Sequence, residues 1–77
     1  MQIVFLGRLA ERFGEVRSVD VSPDLTVAQA IKLCAGDEFE ALTAPGISYV
    51  LDHQMVRPDA TLGDAKELAF LPPVSGG

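Results

Sequence analysis

The chain has 77 residues, 48% of them hydrophobic, and a net charge of -5. That length suits one domain near the lower limit of independent folding, burying only ~60% of its unfolded surface. One Cys and one His exclude an internal disulfide and a closed four-ligand zinc site, and the acidic balance argues against nucleic acid and suits docking to a basic protein surface.

Gln2 to Leu6 carries Ile3, Val4 and Phe5, which favour a strand; Ile3 and Phe5 share one face, Val4 and Leu6 the other. No basic segment precedes this short apolar run, so a signal peptide is not expected. No stretch approaches the ~20 apolar residues of a membrane span, and the expected compartment is the cytoplasm. Arg8 to Phe13 are helix formers stopped by Gly14. From Val16 to Val21, Val19 and Val21 alternate with Ser18 and Asp20, the pattern of a half-buried strand. The two strands then form a hairpin with a short helix inside its connection.

Ser22-Pro23-Asp24 is a turn. Thr26 and Gln29 match a capping box, and Val27, Ala30, Ile31 and Cys34 fall on one face of a helix of about ten residues closed by Gly36. Asp37 to Gly46 is poorly patterned apart from the turn signal Pro45-Gly46. Ile47 to Asp52 and Gln54 to Val56 read as short strands around a turn at Asp52-His53. Leu62 to Ala65 suggests a single helical turn. Glu67 to Leu71 is the last strand, with Leu68 and Phe70 on one face and Ala69 and Leu71 on the other. Strand, strand, helix, strand, strand, strand predicts an α+β roll: a mixed sheet of about five strands with one main helix on one face. The domain is expected over residues 1–71, with an extended tail over 72–77.

Side chains for catalysis are scarce. Nucleophilic catalysis needs a nucleophile, a base and an orienter. Cys34 sits on the apolar face of the main helix, where a small buried thiol is expected, and His53 sits in a turn. Gly7 and Gly14 are too far apart for a phosphate loop, and the eleven carboxylates are spread along the chain. No autonomous active site and no metal site is expected.

The end of the chain is different. Pro72 and Pro73 fix φ and offer no N–H, so the ladder stops and a stiff stem begins. Six extended residues reach ~20 Å. Gly76 and Gly77 carry no side chain and suit a narrow channel in a partner. The tip carries a carboxylate, a poor electrophile until activated.

Phe70-Leu71-Pro72-Pro73-Val74-Ser75-Gly76-Gly77 resembles the terminal signature of the small subunit of molybdopterin synthase, within the ubiquitin-like sulfur carriers. Phe5-Leu6-Gly7-Arg8-Leu9 followed by Gly14, and Thr26-Val27 at the helix start, are similar to the same family. The resemblance spans the chain and implies a ubiquitin-like β-grasp fold. It implies that a partner enzyme uses ATP to adenylate the terminal glycine, that a sulfur donor converts it to a thiocarboxylate, and that the sulfur passes to cyclic pyranopterin monophosphate. The reactive atom then belongs to Gly77; Gly76, Ser75, Val74, Pro73 and Pro72 thread into the large subunit. By position, Leu6, Met55 and Leu71 match the family's docking patch. The implied assembly is a heterotetramer with the large subunit, and no cofactor is held by the carrier itself. Two turns depart from the family: Ala65-Lys66-Glu67 replaces a usual Gly-Asp-Glu, and Asp52 stands where Asn is common. A carrier for the thiazole of thiamine or for a tRNA base, or a protein modifier joined through Gly77 to a lysine, would share the Gly-Gly end.

Overall fold

The computed structural model describes residues 1–73. Five strands and three helices follow in chain order: β1 (Gln2–Phe5), α1 (Arg8–Phe13), β2 (Val16–Ser18), α2 (Val27–Ala35), α3 (Phe39–Leu42), β3 (Ser48–Leu51), β4 (Gln54–Val56) and β5 (Glu67–Leu71). The sheet order is β2-β1-β5-β3-β4. β1 and β5 run parallel at its centre, and the other neighbours are antiparallel. The mixed sheet with one main helix on one face is as the element order predicts.

The inner face of the sheet is a row of aromatic rings. Phe5 stacks on Phe13 at 5.2 Å and on Phe70 at 5.3 Å, and Tyr49 meets Phe70 edge-on at 5.6 Å. Such pairs add ~0.5–1.5 kcal/mol beyond their burial. The Arg17 guanidinium lies over the Phe5 and Phe13 rings, and its Nε donates to the Phe13 carbonyl. Ile3, Leu68 and Phe70 are buried beneath α2, which presents Val27, Ala30 and Ile31 to them.

The start of α2 is as its sequence demands. The Gln29 amide donates to Thr26 Oγ1, and the Thr26 amide donates to Gln29 Oε1. The Val27 and Ala28 amides donate to the Ala60 and Pro58 carbonyls. Donors that a helix N-terminus leaves unpaired are thus satisfied partly by a distant loop.

Three segments differ from expectation. β2 stops at Ser18: Val19 still exchanges both backbone bonds with Met1, and Asp20 and Val21 run on to the turn. The unpatterned stretch after α2 folds as a 3-10 turn, Gly36–Glu38, followed by α3. α3 buries Leu42, whose carbonyl accepts from the Tyr49 hydroxyl at 3.0 Å. Leu62 to Ala65 is a turn and not helical, because Gly63 takes φ +58 and its amide donates to the Pro23 carbonyl. Leu62 itself is buried. The β3–β4 turn lies where it was expected: Asp52 and His53 both take positive φ, as a two-residue hairpin loop requires.

Candidate functional site: the outer sheet face and the stem

The face of the sheet away from α2 is organised in rows. Strand register places Val16, Val4, Ala69, Val50 and Met55 side by side across all five strands. Toward the end of β5 the next row holds Leu6, Leu71 and Ser48; the Leu6 amide donates to the Phe70 carbonyl, carrying the parallel ladder one residue past β1. On the far side, Ser18, Gln2 and Glu67 make a polar row. The outer face is therefore apolar across its middle row and at Leu6 and Leu71, where β5 runs into Pro72, with Ser48 beside them, and polar on the other side. Between β1, β2 and α1 lies an open cleft of about 470 Å³, lined by Val4, Leu6, Ala10 and Val16 together with Glu11 and Glu15.

Exposure separates the sequence-predicted docking residues. Leu6 is 40% exposed and Met55 69%, whereas Leu71 is half-buried. Leu6 and Leu71 are neighbours on adjacent strands, and Met55 joins them only through Val50 and Ala69. Val16, 53% exposed, and Val50 belong to the same face without having been singled out from sequence. Val50 was legible from alternation within its strand; its placement beside Met55 was not.

At the stem, Pro72 is half-buried and Pro73 exposed. Gly7 lies against the Pro72 ring and Gly46 against Pro73. Val74, Ser75, Gly76 and Gly77, the predicted threading and reactive residues, lie outside the described residues.

Other chemistry is sparse. No group of three or more His, Cys, Asp or Glu side chains gathers as a metal site among the described residues. Among them also, no helix is long and apolar enough to cross a membrane. Cys34 is half-buried, less enclosed than its helical face predicts. Burial pushes its thiol pKa up, against a smaller lowering by Arg17, so the thiol keeps its proton at neutral pH and is a weak nucleophile. His53 is exposed. The Asp52 carboxylate accepts from the Lys66 and Glu67 amides at 2.9 and 3.0 Å, a structural use that ties the β3–β4 turn to the start of β5.

With a compact roll, an apolar sheet face and a proline stem at its rim, the likeness to known proteins is specific. The ThiS family model matches residues 3–77. The chain belongs to the ThiS family. This ThiS-family protein is also similar to a solved structure, the crystal structure of SAMP1 from Haloferax volcanii. The two share 26% identity and a TM-score of 0.79, over 99% of this chain and 97% of that one. No curated protein matches the chain. The fold of this ThiS-family chain is the ubiquitin-like β-grasp roll, and its family is one of ubiquitin-like sulfur carriers.

Proposed function

We propose that this protein is the sulfur-carrying small subunit of a molybdopterin synthase. The observation that carries the reading is the junction of β5 with Pro72 and Pro73 at the rim of the apolar face. A partner seated on that face receives the emerging chain directly. Family membership and the Pro-Pro-Val-Ser-Gly-Gly tail support the same reading.

In this mechanism the carrier supplies position, and its partners supply catalysis. The Gly77 carboxylate attacks the α-phosphorus of ATP in an adenylating enzyme, and pyrophosphate leaves. Sulfur delivered by a donor at the sulfide oxidation level displaces AMP, giving a thiocarboxylate. Its sulfur is a nucleophile at neutral pH and attacks carbon of the cyclic pyranopterin monophosphate bound in the large subunit, displacing an oxygen substituent; water then cleaves the acyl–sulfur bond, leaving sulfur on the pterin and returning the carboxylate, and two charged carriers are spent per dithiolene. Gly76, Ser75 and Val74 thread the channel, Pro73 and Pro72 stiffen the approach, and Leu6, Met55 and Leu71 dock. Two carriers on a large-subunit dimer make the heterotetramer, with the cytoplasm as the compartment.

The test is reconstitution. Protein bearing the Gly77 thiocarboxylate is mixed with the large subunit and the cyclic pterin precursor, and the dithiolene product is assayed. Product that depends on the thiocarboxylate is the expected result. If Gly77 accepts sulfur and no dithiolene forms, the molybdopterin assignment falls and a carrier for another acceptor remains.

A further inference from the structure

The sheet register, continued past the last ladder bonds, sets two glycines beside the two prolines. Phe5 pairs with Phe70 in parallel, so Gly7 falls opposite Pro72. Ser48 pairs with Leu71 in antiparallel, so Gly46 falls opposite Pro73. The contacts agree. A β-carbon built on Gly7 would lie 2.9 Å from Pro72 Cγ, and one on Gly46 would lie 2.9 and 3.0 Å from Pro73 Cβ and Cγ. Real β-carbons essentially never sit that close, and a proline ring has little freedom to withdraw.

We propose that Gly7 and Gly46 are positioning residues, a two-sided collar that seats Pro72 and Pro73 and sets where the reactive end leaves the fold. This rests on the sulfur-carrier reading. Both glycines also take positive φ, +58 and +93, which turns the flanking chains away just where the stem emerges. A stem held by a full ladder would need no such device; prolines donate no ladder hydrogen bond, so ring packing carries more of the stem's position. Ring packing on both sides of β5 therefore replaces the lost bonds.

Backbone strain alone would also make these glycines sensitive, and the fold supplies a matched control for Gly7. Gly36 has φ 55 and ψ -114 against φ 58 and ψ -137 at Gly7. Gly46 has no such match: it follows Pro45 in a turn closed by the Ile47 amide on the Ala44 carbonyl, whereas Gly14 ends a helix at φ 88 and ψ 166, so strain at Gly46 is separated by removing the Pro73 ring. A β-carbon on Gly14 or Gly36 would meet nothing within 4 Å. Gly7→Ala and Gly46→Ala are compared with Gly36→Ala and Gly14→Ala in the full chain.

The collar predicts that Gly7→Ala melts ~5 °C or more below Gly36→Ala, on the order expected for overpacking in a domain of this size. The excess should vanish when Pro72→Gly removes the ring, and Gly46→Ala should cost less in a Pro73→Gly background than in the native chain. In nitrogen-15 spectra, Gly7→Ala and Gly46→Ala should shift the amides of residues 74–77, and the controls should leave them in place. Pro73→Gly in the otherwise native chain should shift the Gly46 amide, distant in sequence, and not the Gly14 amide; this arm survives if an alanine variant fails to fold. With the adenylating enzyme, kcat/KM at Gly77 should fall about tenfold or more for the collar variants, since a misplacement of ~1 Å can cost on the order of a hundredfold. Equal melting of matched variants together with unmoved amides would overturn the collar. Failure of the wild-type chain to be adenylated would overturn the carrier reading instead, while the spectra still decide the collar.

Discussion

Met55→Asp separates docking from folding. Met55 is 69% exposed on edge strand β4, opposite Val50. Its removal costs the fold little: exposed substitutions usually stay within about 0.5 kcal/mol, and the whole β-propensity scale spans ~1 kcal/mol. Docking is more sensitive. Burying a whole Met side chain is worth ~1.5–3 kcal/mol, so covering the exposed part of Met55 contributes roughly 1–2 kcal/mol. A carboxylate left without a partner there adds ~1 kcal/mol or more of desolvation. A loss of about 2 kcal/mol raises Kd roughly thirtyfold. Calorimetric titration into the large synthase subunit measures it. Leu33 on α2 is the control, because it is also 69% exposed and lies on the helix that covers the other face of the sheet. Leu33→Asp should leave Kd within about twofold of wild type. Unchanged binding by Met55→Asp, or an equal loss in Leu33→Asp, would refute docking through this face. Leu71→Asp is a poorer probe, since Leu71 is half-buried and its loss would mix folding with binding.

Cys34→Ala should leave sulfur loading of Gly77 unchanged by intact-mass spectrometry, because the thiol is held protonated; loss of loading would make Cys34 a relay. Thr26→Ala removes the side-chain half of the capping box and should destabilise the fold by ~1 kcal/mol in urea unfolding, with no change in docking. Burial raises the Tyr49 pKa, so the folded state holds that proton after the unfolded chain has released it. The associated stability is intact below the ordinary tyrosine value near pH 10 and is lost as pH rises through the raised value. Tyr49→Phe should flatten that alkaline limb in denaturant titrations carried above about pH 10.

Much of the fold is legible one residue at a time. Thr26 and Gln29 announce the start of α2 because a capping box is closed within four residues. Gly14 ends α1 for the same local reason. Alternation in Glu67–Leu71 separates Leu68 and Phe70 from Ala69 and Leu71, and burial follows it except at Ala69, which the central strands enclose on the outer face as well. α3 escaped because four residues give no period to read, and its Leu42 is justified only by Tyr49 and the core around it. The turn at Gly63 escaped because its bonds go to Pro23, forty residues away in sequence.

The sequence by itself determined the five strands, α1 and α2, their order, the two faces of β1 and β5, and the proline stem. These follow from contacts within a few residues and from the fixed geometry of proline. Tertiary structure alone decided that β5 lies between β1 and β3. Only with β1 and β3 on either side of β5 do Val16, Val4, Ala69, Val50 and Met55 become one apolar row, and do Gly7 and Gly46 meet Pro72 and Pro73. Register between strands distant in the chain is set by burying the inner face on α2, and no local pattern encodes it.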